Sequence, residues 1–245
     1  MKEPLTIGIV GGTSPESTIS YYRHIIRAHE SKFHDHSYPR IVISSVSFQQ
    51  YIDWQTRSEW DRVAKGLEEE MRALAAAGAD FAMLAANTMH KVLPQIKRSI
   101  PVLSVLDAVG SYAREKGVRC VGLTGTKYTM SARGFYVEGL EQRGLDVVLP
   151  EGPEQDIVHR IIFEELIVGT VLPASVDAFY GIMRDLSGRG ADAVLLGCTE
   201  LDLLTTGRNA PIDLIDSARV HAEAAWDVAM SRDLSHPMLS QVKGS

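Results

Sequence analysis

Short apolar runs alternate along the chain with longer stretches in which apolar residues recur every three or four positions. The short runs predict strands at 5–10, 40–46, 80–85, 101–105, 118–123, 145–149, 192–196 and 211–215. The longer ones predict helices at 15–30, 59–77, 88–98, 107–116, 131–143, 154–168, 173–188 and 217–231. Ser14-Pro15, Ser58 and Pro173 mark helix starts, and Gly78, Gly117, Gly144 and Gly188 or Gly190 mark ends. Strand and helix in alternation imply an α/β fold of parallel units with helices on both sheet faces. The segment from Asp233 onward carries Pro and Gly without an apolar period and is expected to be a frayed tail.

Two segments repeat. Residues 78–88 read Gly-Ala-Asp-Phe-Ala-Met-Leu-Ala-Ala-Asn-Thr, and residues 190–200 read Gly-Ala-Asp-Ala-Val-Leu-Leu-Gly-Cys-Thr-Glu. Upstream, residues 7–13 resemble residues 121–126. The offsets, 112 and 114, nearly agree. They predict two pseudo-symmetric lobes with mainly parallel four-stranded sheets. Residues 1–106 and 217–232 would form the N-terminal lobe, 107–216 the C-terminal lobe and 233–245 the tail. Ligands of open parallel sheets bind at the carboxyl ends of strands, where both repeated motifs fall. Loops 11–17, 85–90, 124–130 and 197–202 are therefore expected to converge on a small-molecule site in a cleft between the lobes.

Composition narrows the function classes. A chain of 245 residues, 45% hydrophobic, can bury a full core. A net charge of −6 argues against a broad nucleic-acid surface. No apolar run approaches the roughly 20 residues of a membrane span, and the first residues lack a secretory pattern. A soluble cytoplasmic protein without membrane or nucleic-acid partners is the expectation. Cys120 and Cys198 make neither a disulfide framework nor a zinc pattern and read as two free thiols. His34, Asp35 and His36 lack a ligand register, so no metal is expected.

Candidate chemistry centres on Cys198, directly after a buried-looking strand. It reads as a thiolate base or nucleophile, its pKa lowered by a following helix start, or as an inert buried cysteine. Cys120, inside a strand, reads as inert. Asn87 and Thr88 stand where free backbone N–H groups can hold a carboxylate, or where they simply cap a helix. His90 reads as an acid/base or as a structural residue. Gly11 to Thr18 allow close approach to a carboxylate or form a bare turn; nucleotide motifs are absent.

Together, residues 11–18 (Gly-Gly-Thr-Ser-Pro-Glu-Ser-Thr), Asn87-Thr88-Met89-His90 and Gly197-Cys198-Thr199-Glu200 resemble the aspartate/glutamate racemase superfamily, most nearly its broad-specificity amino-acid racemase branch. The resemblance covers nearly the whole chain. It implies racemisation without pyridoxal phosphate or other cofactor, in which two thiols on opposite faces exchange the α-proton of an amino acid or related carboxylate. By that carry-over Cys198 is one acid/base, and Gly12, Thr13, Asn87, Thr88, Thr126, Thr199 and Glu200 contact substrate. Relatives are often homodimers, so a homodimer is expected.

Two departures qualify the carry-over. Ala86 stands where the family has its partner cysteine. Thr88, His90 or water would have to substitute for two-way racemisation; otherwise the activity becomes one-sided, as in thiol-dependent decarboxylases with one cysteine, or is lost to leave an amino-acid binder. The charged residues that aspartate-specific members use for the side-chain carboxylate are also absent, at 47–52 and at 166–168. Gln49 or Gln50 would offer amide contact instead, which suits a wider, less acidic substrate range.

Overall fold

In the computed structural model, residues 3–240 are described, and the chain divides into two compact units. One takes the residues up to Ala108 and from His221 onward; the other is Val109–Val220. The sequence repeat places these changes at 106/107 and 216/217. Residues 241–245 of the expected tail, like Met1 and Lys2, lie outside the described residues.

The first unit begins with β1 (Ile7–Gly11), α1 (Pro15–Lys32), β2 (Ile41–Ser45), α2 (Phe48–Thr56), α3 (Trp60–Ala76), β3 (Phe81–Leu84) and β4 (Val102–Leu103). The second follows α4 (Val105–Glu115) with β5 (Cys120–Thr124), α5 (Phe135–Glu141), β6 (Asp146–Val148), α6 (Gly152–Arg160), α7 (Pro173–Gly188), β7 (Ala193–Leu196), α8 (Asp202–Thr205) and β8 (Asp213–Asp216). Then α9 (Ser217–Ser231) leads back into the first unit, which closes with β9 (Leu239–Ser240).

The first sheet runs β2-β1-β3-β4-β9, parallel except for the antiparallel β4–β9 pair, with Ile7 opposite both Ile41 and Phe81. It therefore has five strands, not the expected four, because Leu239 and Ser240 pair with Leu103 and Val102. The second sheet, β6-β5-β7-β8, is parallel throughout and has the expected four. Strands β1, β3 and β7 are buried at every position, as strands covered on both faces must be. Opposite them, α3 presents Val63, Leu67, Met71 and Leu74 as one buried stripe. Phe179, Ile182, Met183 and Leu186 do the same for α7.

The repeat has a physical basis. Asp80 accepts from the Thr6 N–H at 2.6 Å, and Asp192 from the N–H groups of Arg119 and Cys120 at 2.8 and 2.9 Å. Each carboxylate thereby ties the entry of its own strand to the head of the neighbouring central strand. The two N–H bonds hold Asp192 below the ordinary carboxylate range.

Several expected helices are corrected. Only residues 88–92 of 88–98 coil, as a 3₁₀ turn. Pro94 has no N–H to continue an α-helix, and the bonds Leu93→His90 and Gln95→Val92 span three residues. The expected helix 154–168 is α6, then a wide π turn at 161–165 and a 3₁₀ turn at 166–168. There Glu165, 4% exposed, pairs with Arg160 at 2.9 Å. The expected helix 131–143 shortens to α5, since residues 131–134 form a tight turn closed by Gly134 N–H on the Ser131 carbonyl.

Candidate functional site

In the first unit the site residues lie at the carboxyl ends of the adjacent strands β1 and β3. Gly12 follows β1 at φ +87°, and a Cβ there would overlap the Val46 carbonyl. Its N–H donates to Thr18 Oγ1 (2.9 Å), which donates to the Ser14 carbonyl (3.1 Å). Ser14 caps α1, and Ser17 Oγ donates to the Ala85 carbonyl at 2.7 Å. The first turn of α1 thus clips both strand ends, with Thr13 buried beside it.

Ala86, partly buried, packs against the core, and Asn87 precedes the 88–92 turn in helical conformation without capping it. The capping role open to Asn87 on sequence is therefore not taken. His90 is 4% exposed. The Val105 N–H donates to its Nε2 (3.1 Å), so the ring proton lies on Nδ1, which donates to the Ala86 carbonyl (3.1 Å). Both nitrogens are engaged with backbone, and His90 serves as an anchor for residue 86. Behind it, buried His221 donates from Nε2 to the Leu103 carbonyl (3.1 Å) and accepts from Tyr21 Oη (3.1 Å). Burial, then the neighbouring His90, push His221 well below its ordinary pKa. Gln50 lies exposed on α2, and Gln49 donates to Asp53 at 2.8 Å.

In the second unit the corresponding ends of β5 and β7 carry Thr126 and residues 198–200. Gly197 donates to the Thr124 carbonyl at 2.8 Å, and a Cβ on it would stand 2.7 Å from that oxygen. Ser217 Oγ donates to the Leu196 carbonyl (2.7 Å) and ties down the end of β7. Thr126 Oγ1 lies 3.3 Å from Thr129 Oγ1. Cys198, half-buried, donates from Sγ to Glu200 Oε2 at 3.0 Å, and Thr199 Oγ1 donates to the same oxygen at 2.8 Å. The following element is a three-residue 3₁₀ turn, Thr199–Leu201, leading into the short α8. Burial pushes the thiol well above its ordinary pKa and the Glu200 carboxylate adds to this. That overturns the expectation of a thiol pKa lowered by a helix start: a single turn supplies little dipole, and the nearest charge is an anion. Burial and the anions Asp146 and Asp192 also raise the Cys120 thiol.

The structure therefore gathers Gly12, Thr13, Ala86, Asn87 and Thr88 in one set and Thr126, Cys198, Thr199 and Glu200 in another. Sequence reasoning missed the Cys198–Glu200 contact, the Tyr21–His221 pair and the Arg160–Glu165 pair. The Glu two residues after the cysteine was the one legible signal among them. Among the described residues no group of three or more His, Cys, Asp or Glu could hold a metal ion, and no helix is long and apolar enough to cross a membrane. Asp35 instead binds His29 at 2.9 Å.

Residues 10–225 match the model of the Asp/Glu/hydantoin racemase family, and the chain belongs to that family. It is similar to a protein of Yersinia pestis provisionally assigned as an Asp/Glu racemase, at 34% identity over 92% of this chain and 99% of that one, with a TM-score of 0.86. It is similar to an aspartate racemase homologue of Pyrococcus horikoshii at 37% identity, with the same coverages and a TM-score of 0.81. The Picrophilus torridus aspartate racemase, 22% identical over 92% of this chain and 94% of that one, shares the fold at a TM-score of 0.75.

Proposed function

We propose that the protein is a cofactor-independent amino-acid racemase, one-sided in its chemistry, in which Cys198 moves the α-proton of an amino acid. The observation that carries this reading is a thiol at the end of a central strand, set against a carboxylate, in a chain of this family. Gly12, Thr13, Asn87, Thr88, Thr126 and Thr199 are the proposed contacts to the substrate carboxylate and amine. These groups would stabilise the enolate-like transition state by hydrogen bonding where negative charge develops. Thr88, or water, would serve the second face in place of a cysteine at position 86. His90 is less suited to that role, because its two nitrogens already hold backbone groups.

A side chain without strong negative charge suits the site best. The 166–168 turn, Leu-Ile-Val, packs against the 199–201 turn and brings no cation to it. Ile167, Val168 and Leu203 are exposed large apolar residues on these and the next element. We further propose a cytoplasmic homodimer.

Incubation of L- and D-amino acids with the protein in D₂O tests the reading. Solvent deuterium should enter the α-position, and Ala86→Cys should raise conversion between the enantiomers. General acid/base groups typically contribute about 10²–10⁴-fold, which sets the scale of that gain. Alanine rather than cysteine at position 86, which leaves Cys198 as the one thiol among the candidate residues, also favours a second reading, a decarboxylase or lyase on the same scaffold. Release of carbon dioxide or ammonia without α-exchange would select it.

A further inference from the structure

We propose that Glu200 is a second catalytic residue, and that Cys198 and Glu200 act as one unit sharing a proton. The inference rests on the α-proton chemistry proposed above for Cys198 and adds a role for its neighbour.

The geometry is local and specific. The thiol donates to Glu200 Oε2 at 3.0 Å, and Thr199 Oγ1 donates to the same oxygen at 2.8 Å, which fixes the carboxylate beside the sulfur. Other charged groups lie on the elements around this turn. Glu165, ahead of the 166–168 turn, is paired with Arg160. Asp202, at the head of α8, accepts from Thr206 at 3.0 Å. On α7, which packs on α8, Asp185 pairs with Arg189, and Asp177 and Arg184 lie on the same helix. Asp216 ends the neighbouring strand β8 and accepts from the Ala218 N–H.

A thiolate beside an ionised Glu200 would place two negative charges against a substrate that already carries a carboxylate. Burial is the first cause of the raised thiol pKa, and the Glu200 carboxylate beside the sulfur adds to it. The shared-proton route avoids it. The S–H proton passes to Glu200 Oε2, and the sulfur then takes the proton from Cα. The C–H bond breaks, its electron pair stays on the carbon and spreads into the substrate carboxylate, and the S–H bond re-forms. The pair has gone from one proton to two and from charge −1 to neutral, while the substrate has gained one negative charge. Reversal returns a proton to the same face of the carbon. In D₂O, where both pair protons have exchanged, it delivers deuterium with retained configuration. No oxidant, metal or base on the opposite face takes part.

The test uses the full chain with Cys120→Ser, so that Cys198 is the one reactive thiol, and compares it with the same chain carrying Glu200→Gln. Iodoacetamide modification of Cys198 against pH reads the thiol directly; α-deuteration of amino acids in D₂O, analysed by chiral chromatography, reads the chemistry. The pair predicts that Glu200→Gln moves the alkylation midpoint to lower pH. It also predicts an exchange rate that is nearly flat with pH when Glu200 is present. In the variant the rate should instead rise about tenfold per pH unit until the thiol titrates, as for a base that must first ionise to solvent. Unchanged alkylation midpoints, or identical exchange profiles, would overturn the pair even if exchange occurs. A shifted midpoint with no exchange of any amino acid in either protein would leave the thiol–carboxylate coupling standing and overturn the racemase reading.

Discussion

Gly12 joins β1 to the loop that precedes α1, and its replacement by alanine gives a sharp test of how that strand end is built. Its φ of +87° is left-handed, which costs a non-glycine residue roughly 1–2 kcal/mol. The new Cβ would also overlap the backbone of Val46. Val46 cannot simply turn away, because its N–H bonds to the Gly11 carbonyl at 3.1 Å and it continues from β2. Crowding of this kind adds about 1–3 kcal/mol, for a total of about 2–5 kcal/mol. Gly78 provides the control in the same unit. Its φ of +86° carries the same backbone cost, but its Cβ would meet nothing nearer than Arg40 Nη1 at 3.3 Å, the end of a flexible side chain. At roughly 2–4 °C per kcal/mol for a chain of this size, Gly12→Ala should lower Tm by about 10 °C and Gly78→Ala by about half that or less. Thermal unfolding of both variants under one buffer condition measures the difference. Equal losses would mean that the loop after β1 moves freely and that the tight seat assigned to Gly12 is wrong.

Three further outcomes follow from the same geometry. His221 stays neutral in the fold, whereas the unfolded chain binds a proton there near pH 6.5. The unfolded state therefore holds more protons below that pH, and stability that is full above it declines on acidification by up to about 1.4 kcal/mol per unit; urea midpoints at pH 7.5 and 5.5 should differ more in the wild type than in His221→Gln, and equal slopes would refute this. His90→Asn keeps a donor near the Ala86 carbonyl, while His90→Gln keeps an acceptor near the Val105 N–H; the first should preserve KM better and the second preserve Tm better, and parallel losses in both would deny the separate roles. Thr18→Val leaves the buried Gly12 N–H without its acceptor and should cost about 1–3 kcal/mol by denaturant titration; a change under about 0.5 kcal/mol would show that bond to be dispensable.

Much of this architecture was legible because parallel strands buried on both faces must be continuously apolar. Residues 81–84 and 193–196 announce themselves in that way, and the Gly-Ala-Asp ahead of each proved to be a strand clamp. The candidate residues were legible as strand-end positions for the same reason. What escaped were features set by tertiary context. The helix α2 mixes polar and aromatic residues, and only Tyr51 is fully buried. The strand β9 is two residues long and exists only through its pairing with β4. Pro94, read as part of a helix, marks where that helix fails. The wide turn at 161–165 shares its local pattern with an ordinary helix, and its distinguishing feature is the burial of Glu165. The thiol–carboxylate contact depends on the backbone path of one short turn, which places residues 198 and 200 on the same side.

The central claim is that the sulfur of Cys198 reaches a carbon acid. Proton NMR of an amino-acid panel in D₂O, with the wild type and Cys198→Ser side by side, addresses it most directly. The account predicts progressive loss of an α-proton signal with the wild type, slowed by about 10²-fold or more in the serine variant. Equal rates in the two proteins would contradict it.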